Sequence, residues 1–159
     1  MPDAIDRQIC MVRRARAADA VEIARIHAAS FAEPWLQDDW SRQIAGPHTF
    51  VYVVPSQQEG LIGFLLARRV ADEAEILSLA VDPSTRRQGS AKAMLEGLIS
   101  DLREALPCRL YLEVSVKNVA AIALYKQQGF AQVGSRKAYY SAPNGDQYDA
   151  KILAHDVAS

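Results

Sequence analysis

The sequence has few cysteines, almost no net charge and no long apolar run. Its 159 residues include only Cys10 and Cys108, which are too few for a disulfide framework or a cysteine-based metal site. The formal net charge of −1 argues against broad electrostatic binding to nucleic acid. No apolar run reaches the roughly 18 residues of a membrane-spanning helix. His48 and His155 have no partners at metal-ligand spacing, so we expect no metal.

Length and composition suit a single domain. Half of the residues are hydrophobic and 23% are charged, as in globular proteins with a substantial core. We predict a flexible leader over residues 1–9 and one domain over residues 10–159. The first ten residues, MPDAIDRQIC, contain acids and a proline but no apolar signal core, so we expect a cytoplasmic protein.

Two helices are predicted in the first third of the chain, after a short strand over residues 11–14. Asp19 is placed to cap the first helix, with Glu22 three residues later as its capping-box partner. The break at Glu33-Pro34-Trp35 precedes a second helix over residues 37–45.

The rest of the chain alternates strands with two further helices. Apolar and β-branched runs predict strands over 49–54, 61–68, 74–81, 109–116, 131–140 and 147–153. A helical stripe predicts a long helix over 89–106, and Asn118 and Gly129 bound a short one. This order predicts an α/β fold with a mixed sheet, whose front half is antiparallel. A βαβ crossover follows, and Asn144-Gly145 marks a closing hairpin.

The segment from Leu77 to Ala91, LSLAVDPSTRRQGSA, is the most informative part of the sequence. An apolar strand runs to Val81, turns, and meets a basic, glycine-containing stretch where the long helix begins. Backbone N–H groups and the positive end of that helix then converge on one point, which suits a pyrophosphate. Gly89 removes the Cβ there, and Arg87 could form paired bonds to phosphate. The alternative is a glycine-capped helix start that binds nothing.

Two other nucleotide motifs are absent. The sequence contains no GxxxxGK(S/T), which argues against a nucleotide P-loop. It also contains no GxGxxG, which argues against a dinucleotide enzyme.

Three polar side chains elsewhere are candidates for chemistry, and each has a structural alternative. Glu113 lies in an otherwise apolar strand, so its carboxylate should face a cleft, or else it is simply solvent-facing. Tyr125 lies on the apolar face of the short helix, where a core tyrosine with a satisfied hydroxyl is the alternative. Asn118 is by default a plain N-cap. His27, on an apolar helix face, is expected to be structural.

These residues resemble the GNAT N-acetyltransferases. The run from Arg86 to Ala91 matches the Q/R-x-x-G-x-G/A acetyl-CoA loop, with Arg86, Gly89 and Ala91 at the signature positions. The blocks LYLEVSVKNVAAIALYKQQGF and YYSAPNGDQYDAKIL, with Pro34-Trp35, are similar to those of the ribosomal-protein-alanine N-acetyltransferases of RimI type. The resemblance covers nearly all of the chain beyond the leader. Ala138 stands where relatives often have asparagine.

The resemblance implies a fold and a chemistry. The fold would be a GNAT fold with about seven mostly antiparallel strands and about four helices, splayed at an acetyl-CoA cleft. Glu113 would be the general base that takes a proton from the incoming ammonium, directly or through water. Tyr125 would be the general acid that protonates the departing thiolate. The chemistry agrees, because an amine must be neutral to attack a thioester.

The resemblance also assigns binding residues. Backbone groups of Leu79, Ala80 and Val81 would hold the pantetheine arm and the acetyl carbonyl, and Asn118 would contact acetyl-CoA. The pyrophosphate loop would consist of Arg86, Arg87, Gln88, Gly89, Ser90, Ala91 and Lys92. The slot for a peptide N-terminus would be shaped by Pro34, Trp35, Tyr139 and Tyr140.

The implied function is transfer of acetyl from acetyl-CoA to a protein N-terminus, with the N-terminal alanine of a small-subunit ribosomal protein as the leading acceptor. We expect direct attack in a ternary complex, and a monomer that contacts neither nucleic acid nor membrane. One alternative is a GNAT enzyme for a small amine such as a polyamine, amino acid or aminoglycoside. Its slot would be closed by acidic side chains rather than open beside Tyr139. The other alternative is a non-catalytic acetyl-CoA-binding module.

Overall fold

A single mixed sheet forms the centre of the computed structural model, which describes residues 11–85 and 89–158. The strands are β1 (Arg13–Arg14), β2 (Thr49–Pro55), β3 (Leu61–Val70), β4 (Glu73–Val81), β5 (Cys108–Ser115), β6 (Ala131–Ser141) and β7 (Gln147–Val157). The helices are α1 (Ala20–Ser30), α2 (Gln37–Ala45), α3 (Ser90–Glu104) and α4 (Val119–Gln127). The strand order is β1-β2-β3-β4-β5-β7-β6, and only β4 and β5 pair in parallel. The predicted α/β fold and element order are confirmed.

The parallel pair β4–β5 separates soon after it begins. Its register covers Glu73↔Arg109, Ala74↔Leu110 and Glu75↔Tyr111, although β4 continues to Val81. Against β3, Leu66 pairs with Ser78 and Ala67 with Ile76, so Leu77 is an extra, bulged residue. Because a bulge bends its strand, β4 leaves β5 at this point. The sheet therefore opens between the carboxyl ends of β4 and β5, as the predicted splay requires.

Each face of the sheet packs against its own pair of helices. Strand alternation sends Leu65 to the α3 face, where it packs with Leu95 and Leu110. Its neighbour Phe64 points to the α1 and α2 face and joins Trp40. All five of these side chains are fully buried. Burial of each contributes about 2 kcal/mol, so the two cores hold the sheet rigid around its open end.

The predicted Asp19–Glu22 capping box is wrong. The Asp19 carboxylate instead accepts two bonds from the Arg13 guanidinium, at 2.7 and 2.9 Å, and one from the Arg16 N–H at 2.7 Å. Glu22 accepts from Arg25 and from the Leu61 N–H. A short 3-10 turn (Ala17–Asp19) precedes α1 and gives Asp19 helical angles, so its side chain faces backwards to Arg13 rather than along α1.

Other local signals are confirmed. Asn118 caps α4, since its Oδ1 accepts from the Ala121 N–H at 3.2 Å. Gly129 adopts the left-handed conformation with φ +95°. A Cβ there would lie 2.8 Å from the His155 ring. Both this clash and the positive φ therefore favour glycine at the position.

The predicted leader, residues 1–9, lies outside the described residues, so the domain boundary stays a prediction. Within the described ranges, no helix has the length and apolar character needed to cross a bilayer.

Candidate active site

Glu113 lies on β5 and faces away from the α3 core. Its neighbours Leu112 and Val114 are buried in that core, so alternation sends the carboxylate to the opposite face. The side chain is 18% exposed, and its Oε1 forms an ion pair with the Nε of Arg136 at 2.9 Å. The guanidinium gives this partly buried carboxyl group an oppositely charged partner.

A cavity of about 350 Å³ adjoins Glu113. It extends along the paired ends of β4 and β5, away from the N-terminus of α3. Its wall carries charges of both signs. The lining residues are Arg68, Val70, Glu73, Ala74, Glu75, Tyr111, Leu112, Glu113, Arg136 and Ile152. The carboxylate therefore faces a cleft, as its place in an apolar strand predicts.

Tyr125 projects from α4 into the core and packs edge-on against Phe130, with ring centroids 5.7 Å apart. Burial, with a further contribution from Tyr140, raises the pKa of Tyr125 to about 12. Its hydroxyl makes no hydrogen bond to any residue that the structure describes. A buried phenol with this pKa stays protonated at neutral pH, so it can donate a proton to a group placed beside it.

Tyr140 connects the two candidate catalytic residues. Its hydroxyl donates to the backbone carbonyl of Glu113 over a long 3.4 Å, and burial, Tyr139 and Glu113 all raise its pKa. It also acts on the pKa of Tyr125. The structure thus brings Glu113, Tyr125 and Tyr140 to one end of the sheet.

Tyr139 and Arg136 complete this group. The Tyr139 ring packs edge-on against Tyr140 at 5.0 Å and is half exposed. The Arg136 guanidinium lies 5.3 Å from the Tyr139 ring while its Nε contacts Glu113. Sequence reasoning missed Arg136, because the adjacent Lys137 is an equally good cation in the sequence. Only the sheet order shows which of the two reaches Glu113.

The predicted acetyl-CoA residues lie where the sheet opens. Leu79, Ala80 and Val81 follow the last β4–β5 pair, so this edge of β4 has no strand beside it in the described chain. Backbone groups at such an edge suit strand-like bonds to an extended pantetheine arm.

The N-terminus of α3 follows β4 directly. Gly89 caps α3 with φ +82°, and a Cβ there would meet no atom of the described residues within 4 Å. The space is therefore open to a group that approaches the backbone, which fits a diphosphate. Ser90 is buried, and Ala91 and Lys92 form the first turn of α3 with it. Arg86, Arg87 and Gln88 lie outside the described residues, and Asn118 is exposed at the start of α4.

The predicted Pro34–Trp35 element lies apart from the tyrosines. Trp35 is 39% exposed, and its ring packs on that of Trp40 with centroids 5.2 Å apart. The backbone N–H of Trp35 donates to His27 Nδ1 at 2.9 Å. No hydrogen bond or ring contact joins it to Tyr139 or Tyr140 within the described residues. The acceptor-side residues thus form two separate groups in the described structure.

Comparison with known proteins agrees with this geometry. The Acetyltransferase (GNAT) family matches residues 20–130. A ribosomal protein bS18-alanine N-acetyltransferase from Escherichia coli is 40% identical over 103 residues, which are 65% of this chain and 69% of that protein. The N-alpha-acetyltransferase RimI of Mycobacterium tuberculosis is 34% identical over 137 residues, covering 82% of this chain and 84% of the relative.

The fold comparison gives the same answer. The crystal structure of the ribosomal-protein-S18-alanine N-acetyltransferase from Escherichia coli superposes with a TM-score of 0.84 at 30% identity. The superposition covers 94% of each chain. The chain therefore belongs to the GNAT family of acetyltransferases and is an acetyl-CoA-dependent N-acetyltransferase.

Proposed function

We propose that this enzyme acetylates the α-amine of a protein N-terminus, with the N-terminal alanine of the ribosomal protein bS18 as the acceptor. The observation that carries the proposal is the grouping of Glu113, Tyr125 and Tyr140 at the open end of the sheet. The names of the Escherichia coli and Mycobacterium tuberculosis relatives support the choice of an N-terminal amine. A ribosomal acceptor implies that the two proteins meet in the cytoplasm.

Acetyl-CoA is the acetyl donor of the GNAT family and supplies the thioester when bound. In the proposal, the backbone of Leu79, Ala80 and Val81 holds the pantetheine arm along the open edge of β4. The diphosphate binds at the N-terminus of α3, where the helix dipole favours an anion. The proposed loop consists of Arg86, Arg87, Gln88, Gly89, Ser90, Ala91 and Lys92. Asn118 contacts the same ligand from the start of α4.

Glu113 is the proposed general base. An N-terminal amine has a pKa near 7.7–8.0, so it arrives mostly as an ammonium and must lose a proton before it can attack. Arg136 holds one carboxylate oxygen of Glu113, while Oε2 makes no hydrogen bond to any described residue. That second oxygen is free to accept the proton, directly or through water.

Tyr125 is the proposed general acid. Its raised pKa keeps the hydroxyl protonated, and its burial excludes competing water. In the proposal it gives its proton to the sulfur as the C–S bond breaks, and the phenolate takes up the proton that the nitrogen loses as the amide forms. Most of the rate enhancement comes from holding the amine and the thioester together in one ternary complex.

The acceptor slot favours a peptide over a small amine. A closed acidic pocket would suit a polyamine, but the cavity beside Glu113 has two arginines as well as glutamates in its wall. The proposed slot residues lie outside this cavity. Tyr139 is half exposed, which leaves the slot open beside it. We propose that Tyr139 and Tyr140 form one side of an open groove and that Pro34 and Trp35 form the other. The enzyme acts as a monomer and contacts no nucleic acid in this proposal.

The test is acetyl transfer by the purified protein. We expect mass spectrometry to show one acetyl group added to a peptide that copies the N-terminus of bS18. The same peptide with a blocked amine should remain unchanged, and spermidine should react far more slowly. Preferential acetylation of spermidine would contradict the peptide assignment. Absence of binding heat with acetyl-CoA in calorimetry would contradict the proposed donor site.

A further inference from the structure

His27 lies in the last turn of α1 with its ring enclosed by aromatic side chains. It is 6% exposed and contacts rings from every element around it, at centroid distances of 4.5 to 6.0 Å. The contacts are Phe31 just after α1, Trp35 of the following loop, Trp40 of α2 and Phe64 of β3. No charged group in the described parts of the chain faces the imidazole from these elements. Packing alone would therefore be satisfied by a phenylalanine.

The imidazole makes one polar contact that a phenylalanine could not make. The backbone N–H of Trp35 donates to His27 Nδ1 at 2.9 Å. Nδ1 must then be unprotonated, so the neutral ring carries its proton on Nε2. Among the described residues, it is the one side-chain hydrogen bond that links the loop between Phe31 and Leu36 to the core.

We propose that neutral His27 is a positioning residue that holds the Pro34–Trp35 loop in place for the acceptor peptide, and that protonation of its imidazole releases the loop. The inference rests on the proposed function, which makes this loop one side of the acceptor groove. A protonated ring presents an N–H at Nδ1, directly opposite the N–H of Trp35. The two donors repel, and the backbone N–H of Trp35 loses its acceptor.

The direction of the pH effect follows from the surroundings. Burial lowers the pKa of the His27 imidazole below its ordinary value of 6.5, because the rings around it cannot solvate a charge. The unfolded state then binds more protons than the folded state below about pH 6.5, so the anchored loop is favoured above that pH. Acceptor binding should weaken as the pH falls through the depressed pKa.

Two variants separate the hydrogen bond from the packing. His27→Phe keeps the aromatic contacts and removes the acceptor atom, whereas the amide oxygen of His27→Asn can take the position of Nδ1 without titrating. At pH 7.5 we expect His27→Phe to raise the peptide KM about tenfold, since one lost hydrogen bond to a backbone donor costs roughly that factor. The kcat and the KM for acetyl-CoA should stay unchanged, and His27→Asn should restore the wild-type peptide KM.

The pH profile gives the second readout. The acceptor's own ionisation is the same for every enzyme, so the informative quantity is the ratio of peptide KM between wild type and His27→Asn. We expect this ratio to rise below about pH 6.5 as the wild-type imidazole is protonated. Superimposable KM profiles for the wild type and both variants would overturn the inference.

A measurement without any acceptor keeps this inference separate from the proposed function. The ¹H–¹⁵N signal of the Trp35 amide should titrate together with the His27 imidazole in the wild type and stay constant in His27→Asn. A Trp35 signal that ignores the His27 titration overturns the anchoring, whatever the acceptor is. If the two titrate together but no peptide is acetylated, the anchoring is supported and the proposed acceptor fails.

Discussion

The Nε of Arg136 lies 2.9 Å from Oε1 of Glu113, although a whole strand separates the strands that carry them. Ala150 of that strand, β7, pairs with Arg136 on one side and with Ser115 on the other. Because Ala150 presents only a methyl group, the arginine side chain can cross it and reach the carboxylate. This ion pair holds the candidate base in one orientation and gives its charge a partner.

The proposed roles of Glu113 and Tyr125 predict a loss of turnover without a loss of donor binding. We expect Glu113→Gln and Tyr125→Phe each to lower kcat by about 100-fold or more, the usual contribution of general acid–base groups. The Kd for acetyl-CoA, measured by calorimetry, should stay close to the wild-type value. Glu104→Gln, at an exposed site in α3, and Tyr52→Phe, whose hydroxyl bonds to Asp101 of α3, are the control variants. Wild-type rates in both catalytic variants would show that the roles are wrong.

The Arg136–Glu113 pair predicts a small, salt-sensitive effect. Since the Arg136 side chain is 56% exposed, we expect Arg136→Gln to reduce kcat/KM for the peptide only about two- to fivefold. Raising the salt concentration should bring the wild type closer to the variant. Lys137→Gln on the same strand serves as the control for a change of net charge. An Arg136→Gln enzyme that is faster than wild type would mean that the guanidinium obstructs the base.

Ala138 predicts a stabilising substitution. It adopts φ +52°, in the left-handed region that costs a residue with a Cβ about 1 kcal/mol, at the irregularity between Arg136 and Tyr140. Asparagine tolerates this conformation better, so Ala138→Asn should raise the free energy of unfolding by about 0.5–1 kcal/mol in urea titration. Lys137→Asn, at a position without positive φ, should not stabilise the protein. A lower stability of Ala138→Asn would refute the strain argument.

Asp19 predicts a loss of stability in acid. The hydrogen bonds from Arg13, with a further one from Arg16, hold the pKa of Asp19 below its usual value of 3.8 despite its burial. Below that value the unfolded state binds more protons than the folded state, so the contribution is complete above about pH 4 and disappears as the pH falls through the lowered pKa. Asp19→Asn should therefore lower the stability at pH 6 and show a weaker decline toward pH 3.

The control for this experiment is Asp156→Asn. Its carboxylate pairs with Arg109 at 3.3 Å but is 84% exposed, so the pair is screened by solvent. We expect its unfolding curves between pH 6 and pH 3 to follow those of the wild type. If the free energy of unfolding falls equally steeply with pH in Asp19→Asn and in the wild type, another carboxylate is responsible for the loss of stability in acid.

Interactions between residues close in the chain were enough to predict the order of helices and strands and where several of them begin or end. Asn118 and Gly129 act through neighbours within a few residues, so their roles as cap and left-handed terminator could be predicted directly. Apolar periodicity depends on which face of an element is buried, and it placed α3 and the strands of the sheet to within a few residues. The family motif could also be recognised from the sequence, because its residues follow one another in the loop before α3.

Contacts between distant residues needed the tertiary structure. Asp19 has the sequence pattern of a helix cap, but the Arg13 guanidinium competes more strongly for its carboxylate, since two charge-assisted bonds outweigh one backbone bond. The partner of Glu113 lies 23 positions away by chain number, two strands along the sheet, and pairing order has no local signature in the sequence.

The amino-acid sequence by itself thus determined the type and order of the elements and the motif that marks the family, because these arise from interactions over one or two turns of chain. The tertiary structure decided that Arg136 rather than Lys137 contacts Glu113 and that β4 separates from β5 at Leu77. It also decided that His27 accepts a hydrogen bond from the backbone of Trp35. Each of these depends on strand order or packing, and such contacts form only when residues far apart in the chain are brought together by burial of the two cores.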